Sequence, residues 1–387
     1  MSARSVWIRP TTILDGRQLR PAAVMLENGR VQQISEHPPH GVTPLDIDGI
    51  LTRGFVDLQV NGGGGVLFNQ NCDTDSLKTI IAAHRAAGTT DMLVTVITDS
   101  ADVLQNAVDA VLDNQGMAGL LGIHIEGPHI SVGRRGTHAP RFIRSMDEST
   151  VDQVARLRDA NIPVMITLAP EVVPVSWIIR LKSLGAVVSV GHSDATNAQV
   201  NEAIDAGANC FTHLFNAMSQ MTGRQPGVVG AAINSSAYAG IICDGIHVAD
   251  DMVGLAVRAR PIPDRTFFVS DAMPTVGGDL SFDLYGERIE LQAGRLVNAD
   301  GGLAGAHVTM LESVRRAVNN VGIDLETALK MATCIPAAAM GRSDLAHLEG
   351  NDATDLLVLD QDLASFRFLS EVIADQQGRQ AIPAQAQ

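Results

Sequence analysis

The stretch 187–218 contains a strand–helix–strand unit with a histidine at the end of each strand. Val187–Val190 is a short apolar, β-branched run, which is typical of a strand that is buried on both faces. Asn209–Thr212 is a second short strand. Because the carboxyl ends of parallel strands meet at one edge of a sheet or barrel, we expect His192 and His213 to lie close together.

The same alternation of strands and helices runs along most of the chain. Eight apolar runs are separated by stretches of helical character, such as 76–87 and 148–160. This repetition predicts an α/β fold, a (β/α)8 barrel of the TIM type, with an open doubly wound sheet as the alternative. The predicted strands are Phe55–Val60, Asp91–Ile97, Gly119–Ile125, Pro163–Leu168, Val187–Val190, Asn209–Thr212, Ala239–Cys243 and Thr266–Val269.

The two ends of the chain follow a different pattern. Short apolar runs flank an Asn-Gly pair at 28–29, which predicts a β-hairpin, and 355–359 is a further short strand. We expect the ends to form one small β-sandwich domain. The predicted segments are 1–50 for its N-terminal part, 51–345 for the barrel, and 346–387 for its C-terminal part and a disordered tail from Gln376.

Charge and cysteine usage restrict the class of partner. The formal net charge is −15, from 43 acidic and 28 basic residues, which argues against nucleic acid or an anionic membrane as a partner. An anionic small molecule would therefore need a local basic pocket. The four cysteines form no CxxC pair, and neither a signal-peptide core nor an 18-residue apolar run occurs. We expect a cytoplasmic protein.

Chemically useful side chains follow several predicted strands. Glu126 follows the third strand, His192 the fifth and His213 the sixth. One carboxylate and two imidazoles suit a divalent ion and leave a position open for water; zinc is the expected ion, with iron(II) or another divalent ion as alternatives. Asp271 follows the eighth strand, where a carboxylate can take a proton from water and return it to a leaving amine. Its alternative role is a helix N-cap or a hydrogen-bond partner of a histidine.

Seven motifs occur in order between about residues 53 and 340: RGFVDLQVNGGGG, HIEGPHIS, VGHSDA, THLFNAM, TGRQPGVVGA, DGIHV and VSDAM. Together they resemble the N-acetylglucosamine-6-phosphate deacetylases of the amidohydrolase superfamily. The resemblance implies hydrolysis of the acetamido group of N-acetyl-D-glucosamine 6-phosphate to D-glucosamine 6-phosphate and acetate, in amino-sugar catabolism or recycling. The galactosamine epimer, a cyclic amide, and non-catalytic binding of a sugar phosphate are the alternatives.

The resemblance also implies roles for individual residues. Glu126, His192 and His213 would bind the metal. Asp271 would act as base and then acid, and His138 would donate a hydrogen bond to the oxyanion. Arg224 would bind the phosphate of the substrate in the neighbouring subunit of a homodimer. The implied substrate-binding residues are Thr137, His138, Asn216, Ala217, Arg224, His247, Leu303, Ala304 and Gly305.

One motif departs from the superfamily pattern. Many amidohydrolases carry His-x-His at the end of the first strand as ligands for a second metal, whereas this chain has Gln59-Val60-Asn61. Amides are poor replacements for imidazole at such a site, so we expect one metal per subunit. We expect Gln59 to hydrogen-bond water at that metal.

Overall fold

Eight parallel strands form the central sheet of the molecule, a computed structural model that describes residues 5–16, 18–298 and 301–380. Each strand lies beside the strand that follows it in sequence. All eight predicted strands are confirmed, with shifts of a few residues at their ends. The first to eighth barrel strands are Phe55–Val60, Thr89–Ile97, Leu120–Glu126, Val164–Leu168, Val187–Val190, Cys210–Phe211, Tyr238–Ile241 and Thr266–Phe268.

The barrel closes between its first and eighth strands through a short bridge and a buried carboxylate. Val60 and Ala272 form the bridge. Oδ1 of Asp57 accepts hydrogen bonds from the backbone amides of Gln59 at 3.1 Å and Ser270 at 3.2 Å. Asp57 is fully buried, and this burial raises its pKa to about 7. The closure brings the residues that follow both strands to the same mouth of the barrel.

Helices surround the barrel and bury apolar faces against it. The helix Glu148–Asp159 buries Val151, Val154 and Leu157, and Asp147 caps its N-terminus by accepting a hydrogen bond from an amide of the first turn. None of the helices in the described residues has the length and apolar character needed to cross a bilayer. The α-helices are Thr74–Ala86, Ala101–Asp113, Glu148–Asp159, Val175–Ser183, Asn197–Asp205, Gly227–Asn234, Asp250–Arg258, Met310–Arg316, Leu325–Ala332, Cys334–Ala339 and Leu369–Gln380.

A seven-stranded sheet combines strands from both ends of the chain. The predicted hairpin is present: Asn28 and Gly29 both have positive φ, 52° and 82°, as the tight turn between its strands requires. Leu356–Leu359 pairs antiparallel with Leu45–Arg53, which joins the two ends. The strands of this sheet are Ser5–Asp15, Gln18–Arg20, Ala23–Glu27, Arg30–Ser35, Leu45–Arg53, Leu356–Leu359 and Phe366–Phe368.

The prediction of a disordered tail from Gln376 is wrong for its first residues. The last helix extends to Gln380, because Leu369 and Val372 anchor it in the core of the small sheet and Nε2 of the Gln376 side chain donates to the Asp46 carbonyl at 3.3 Å. Residues 381–387 lie outside the described residues.

A three-stranded antiparallel sheet, here called the flap, follows the eighth barrel strand. Its strands are Ser281–Leu284, Glu287–Gln292 and Arg295–Val297, and it has a small apolar core of its own. Ile97 and Met273 belong to that core, so the flap packs against the carboxyl edge of the barrel. The flap was not predicted from the sequence.

Candidate active site

The residues that follow the barrel strands line one cavity of about 180 Å³ at the carboxyl edge. This location is the one expected for the chemistry of a barrel of parallel strands. The lining residues are Asn61, Ile97, Glu126, Gly136, Thr137, His138, His192, His213, Asn216, Ala217, His247, Asp271, Met273, Leu303 and Gly305.

Glu126, His192 and His213 converge at the base of the cavity. Oε1 of Glu126 lies 3.2 Å from Nε2 of His192 and 3.0 Å from Nε2 of His213, and the two nitrogens are 3.1 Å apart. Ligands on a tetrahedral zinc ion, with bonds of about 2.0–2.1 Å, are separated by about 3.3 Å. The spacing and chemistry of these three donors therefore fit a divalent ion.

Hydrogen bonds and burial set the protonation of these three groups. Nδ1 of His192 donates to the carbonyl of Arg134 at 2.9 Å, so the lone pair of the neutral ring is on Nε2. Burial opposes ionisation of Glu126, but the adjacent imidazoles outweigh burial and hold its pKa well below the usual range. Burial also disfavours charged His213, yet its hydrogen bond with Glu126 raises the pKa of His213.

Two side-chain amides hold Asp271 beside the metal-ligand cluster. Oδ1 of Asp271 accepts hydrogen bonds from Nε2 of Gln59 at 3.0 Å and Nδ2 of Asn61 at 2.7 Å. Gln59 also donates to Oε1 of Glu126 at 3.1 Å, so one amide connects the two carboxylates. Burial, followed by the charge of Glu126, raises the pKa of Asp271, which brings this carboxylate closer to the range of an effective base.

The backbone is strained at three of these positions. His192, His213 and Asp271 have φ values of 48°, 29° and 49°, in the left-handed region. Each such residue costs about 1–3 kcal/mol and persists only where the surrounding structure enforces it. Strain at a metal-ligand cluster and an adjacent carboxylate is typical of a functional site.

Most of the remaining predicted residues line the same cavity. Thr137, His138, Asn216, Ala217, His247, Leu303 and Gly305 all contribute to its wall. His247 is held by Asp244, whose Oδ2 lies 2.6 Å from Nδ1 of the imidazole. The ring of His138 lies 4.4 Å, centroid to centroid, from that of His192.

Three predicted residues lie outside the cavity wall. Gln59 is buried behind it, with the contacts described above, and Ala304 is fully buried in the core of the flap. Arg224 is exposed in the loop 221–226 and takes part in none of the ion pairs found in the described part of the chain. Within the described residues, no lysine or arginine lines the cavity.

The sequence did not indicate every residue of the site. Ile97, Gly136 and Met273 line the cavity, and Thr98 supports it through His138, 2.7 Å away. Thr98 directly follows the second barrel strand, so its position in the repeat was a usable signal. Gly136 and Met273 lie in loops, where strand-end position gives no such signal.

Comparison with known proteins identifies relatives over most of the chain, although no family model matches it. The chain is 42% identical over 319 residues to the N-acetylgalactosamine-6-phosphate deacetylase of Shewanella sp. (strain ANA-3), covering 81% of this chain and 80% of the relative. It is 35% identical over 326 residues to the N-acetylglucosamine-6-phosphate deacetylase of Haemophilus influenzae, covering 82% and 84%.

A solved structure extends the likeness to the fold. It is a mutant N-acetyl-D-glucosamine-6-phosphate deacetylase from Mycobacterium smegmatis in complex with N-acetyl-D-glucosamine-6-phosphate. The TM-score is 0.85 at 32% identity, over 93% of this chain and 96% of that chain. The resemblance seen in the sequence motifs is confirmed, and this chain belongs to the N-acetylglucosamine/N-acetylgalactosamine-6-phosphate deacetylases of the amidohydrolase family.

Proposed function

We propose that the chain hydrolyses the acetamido group of N-acetyl-D-glucosamine 6-phosphate to D-glucosamine 6-phosphate and acetate, in amino-sugar catabolism or recycling. The observation that carries the proposal is the placement of Asp271 beside the cluster of Glu126, His192 and His213 in one cavity. The named activities of the relatives support the substrate class.

We infer one divalent ion per subunit, with zinc first and iron(II) or another divalent ion as alternatives. Glu126, His192 and His213 would hold it, and two nitrogens with one oxygen suit zinc. Such an ion, when bound, lowers the pKa of water and polarises a carbonyl group. Gln59 and Asn61 turn their N–H groups toward carboxylates, which supports a role in positioning Asp271 rather than in binding a second ion.

The side chains around the cavity supply the proton transfers. Asp271 takes a proton from water as the water oxygen attacks the acetamido carbonyl carbon, and Nε2 of His138 donates a hydrogen bond to the oxygen that becomes negative. When the C–N bond breaks, Asp271 returns the proton to the departing amine, leaving acetate. The remaining wall, formed by Thr137, Asn216 and His247 among others, would contact the sugar.

Binding of the substrate phosphate calls for a cationic side chain. Its wall has no lysine or arginine among the described residues, although a guanidinium is well suited to bind phosphate. Arg224 is exposed in the loop 221–226, a placement that suits contact with another subunit. We propose a homodimer in which Arg224 binds the phosphate in the neighbouring site.

Arg224→Ala is expected to raise KM for the phosphorylated sugar about 10-fold to 100-fold, because a charge-assisted hydrogen bond of about 1.5–3 kcal/mol is lost. Hydrolysis of the unphosphorylated sugar should change little. The control is Arg9→Ala, which removes an exposed arginine of the small sheet. Steady-state kinetics with both sugars measure the effect, and an equal loss on both sugars would contradict phosphate binding.

Mixed dimers test whether Arg224 acts across the interface. Arg224→Ala and Asp271→Asn subunits, combined after unfolding and refolding, would form a site that has Asp271 from one chain and Arg224 from the other. We expect the mixture to exceed the summed activities of the two variants several-fold. Absence of this gain, with mixed dimers verified by mass spectrometry, would place Arg224 outside the neighbouring site.

The galactosamine epimer is a second candidate substrate. The relative with 42% identity is named for that epimer, whereas the relative with 35% identity is named for the glucosamine form. The two sugars differ in the orientation of one hydroxyl, and a site that hydrogen-bonds that hydroxyl can discriminate strongly. The ratio of kcat/KM for the two 6-phosphates decides between them.

We also propose that 1–50 and 346–387 form one small β domain, the second segment including a tail, and that 51–345 forms the barrel. The sheet shared by both chain ends supports this division. A cytoplasmic location is supported by the cysteines: Cys72, Cys210 and Cys243 form no disulfide within the described residues, and burial raises the pKa of each thiol to about 12.

A further inference from the structure

Thr98 lies directly behind His138 at the carboxyl edge of the barrel. It is almost fully buried, and its Oγ1 is 2.7 Å from Nδ1 of His138 and 3.2 Å from the carbonyl oxygen of Glu126. Nε2 of His138 makes no hydrogen bond with the described residues, and His138 lines the cavity. One ring nitrogen is therefore bound to Thr98 while the other is available to a ligand.

A hydroxyl group has one proton, so Thr98 can donate to only one of its two neighbours. If it donates to the Glu126 carbonyl, Nδ1 of His138 must be the donor to Thr98, and Nε2 of the neutral ring carries only a lone pair. If it donates to His138, Nδ1 is the acceptor and Nε2 carries the proton. Only the second arrangement allows neutral His138 to stabilise an oxyanion.

We propose that Thr98 donates its hydroxyl proton to Nδ1 of His138 and thereby holds His138 as the tautomer whose Nε2–H points into the cavity. The inference rests on the proposed function and adds a positioning residue to it. The 2.7 Å contact with His138 accommodates this bond, and the contact with the carbonyl, at 3.2 Å, is the longer of the two.

Neighbouring residues pack around the His138 imidazole and the Thr98 hydroxyl. His138 is buried and its ring lies 4.4 Å, centroid to centroid, from that of His192, so packing fixes the orientation of the imidazole. A Cβ on residue 127 would lie 2.2 Å from Oγ1 of Thr98, so glycine at this position leaves the space that the hydroxyl occupies. The hydroxyl of Tyr285, from the flap, donates to the backbone carbonyl of Thr98.

Thr98→Val removes the hydroxyl and keeps the shape of the side chain. We expect kcat to fall about 30-fold, part of the roughly 10²–10³-fold that one oxyanion donor contributes, with KM changed less than about threefold. Thr98→Ser should recover most of the loss. The matched control is Thr266→Val, because Oγ1 of buried Thr266 has no hydrogen-bond partner in the part of the chain that the structure describes. Unchanged kcat in Thr98→Val would overturn the proposal.

A double-mutant cycle tests whether Thr98 acts through His138. In the His138→Gln background, Thr98→Val should produce little further loss of kcat, because the group that it positions is already gone. Losses that multiply would indicate an independent, structural effect of Thr98 and would overturn the proposal.

Nitrogen-15 NMR of the zinc-loaded protein identifies the tautomer of His138 by a measurement that does not depend on turnover. The His138 signals are assigned by their absence in His138→Gln. The proposal expects the proton on Nε2 in the wild type and a mixture of tautomers in Thr98→Val. A wild-type ring protonated on Nδ1 would overturn it. Absence of acetate release with the proton on Nε2 would reject the proposed function and leave the tautomer assignment intact.

Discussion

Replacing Asp271 by asparagine is expected to lower kcat about 10³-fold or more, because the same carboxylate serves as base and then as acid. The variant should fold normally. The remaining amide oxygen can still accept the hydrogen bonds from Gln59 and Asn61, and asparagine tolerates the left-handed φ of 49°. Single-turnover acetate release and metal analysis of the purified variant measure the two effects separately.

Asp91→Asn is the matched control for this loss. Asp91 is a largely buried carboxylate near the start of the second barrel strand, paired with Arg53 at 2.9 Å, and it does not line the cavity. This variant should lose stability while retaining kcat. Near-normal turnover in Asp271→Asn, with metal and fold intact, would contradict the proton-transfer role of Asp271.

Replacing Glu126 by glutamine is expected to reduce bound metal from about one ion per chain to a small fraction and to abolish turnover. The substitution removes the only carboxylate of the ligand cluster while keeping its size. Metal content by mass spectrometry and thermal unfolding with and without added zinc provide readouts besides activity. At a metal concentration 1,000 times Kd, binding stabilises a protein by about 4 kcal/mol, so the wild-type Tm should rise with zinc.

The Tm of Glu126→Gln should respond little to zinc. Glu312→Gln is the control, because Glu312 completes a helix capping box that glutamine can also complete, away from the cavity. A Glu126→Gln protein that retains stoichiometric metal would contradict the assignment of the ligand cluster.

The barrel and its metal-ligand cluster are predictable because position in the repeat carries the information. Each of Glu126, His192 and His213 is the last residue of a barrel strand or follows its strand within two residues, and parallel strands bring such positions to one edge. The apolar, β-branched runs that define the strands depend on burial on both faces, which sequence reveals directly.

Position in the repeat does not predict the flap or the last helix. The flap strands are exposed on one side and lie outside the barrel repeat, and their apolar core includes Ile97, which is distant in sequence. The last helix is held by Leu369 and Val372 against the small sheet, a contact that the polar composition of the segment hides. Arg224 is exposed on a loop outside the barrel repeat, so position in the repeat gives no information about its contacts.

The motif Gln59-Val60-Asn61 replaces the His-x-His of many amidohydrolases, and only the structure shows what its two amides contact. The sequence indicates that two imidazoles are missing, whereas the geometry shows both amides donating to Oδ1 of Asp271. Substitution at the end of the first strand therefore changes the surroundings of the base as well as the number of potential metal ligands.

Measurement of acetate release is the most direct test of whether the chain deacetylates an N-acetylated amino-sugar 6-phosphate. Purified protein of known metal content would be assayed with N-acetyl-D-glucosamine 6-phosphate, its galactosamine epimer and the unphosphorylated sugar. The proposed function predicts rapid release from one or both 6-phosphates, slow release from the unphosphorylated sugar, and loss of activity together with about one metal ion per chain on chelation. Metal-loaded protein that releases no acetate from any of the three sugars would contradict it.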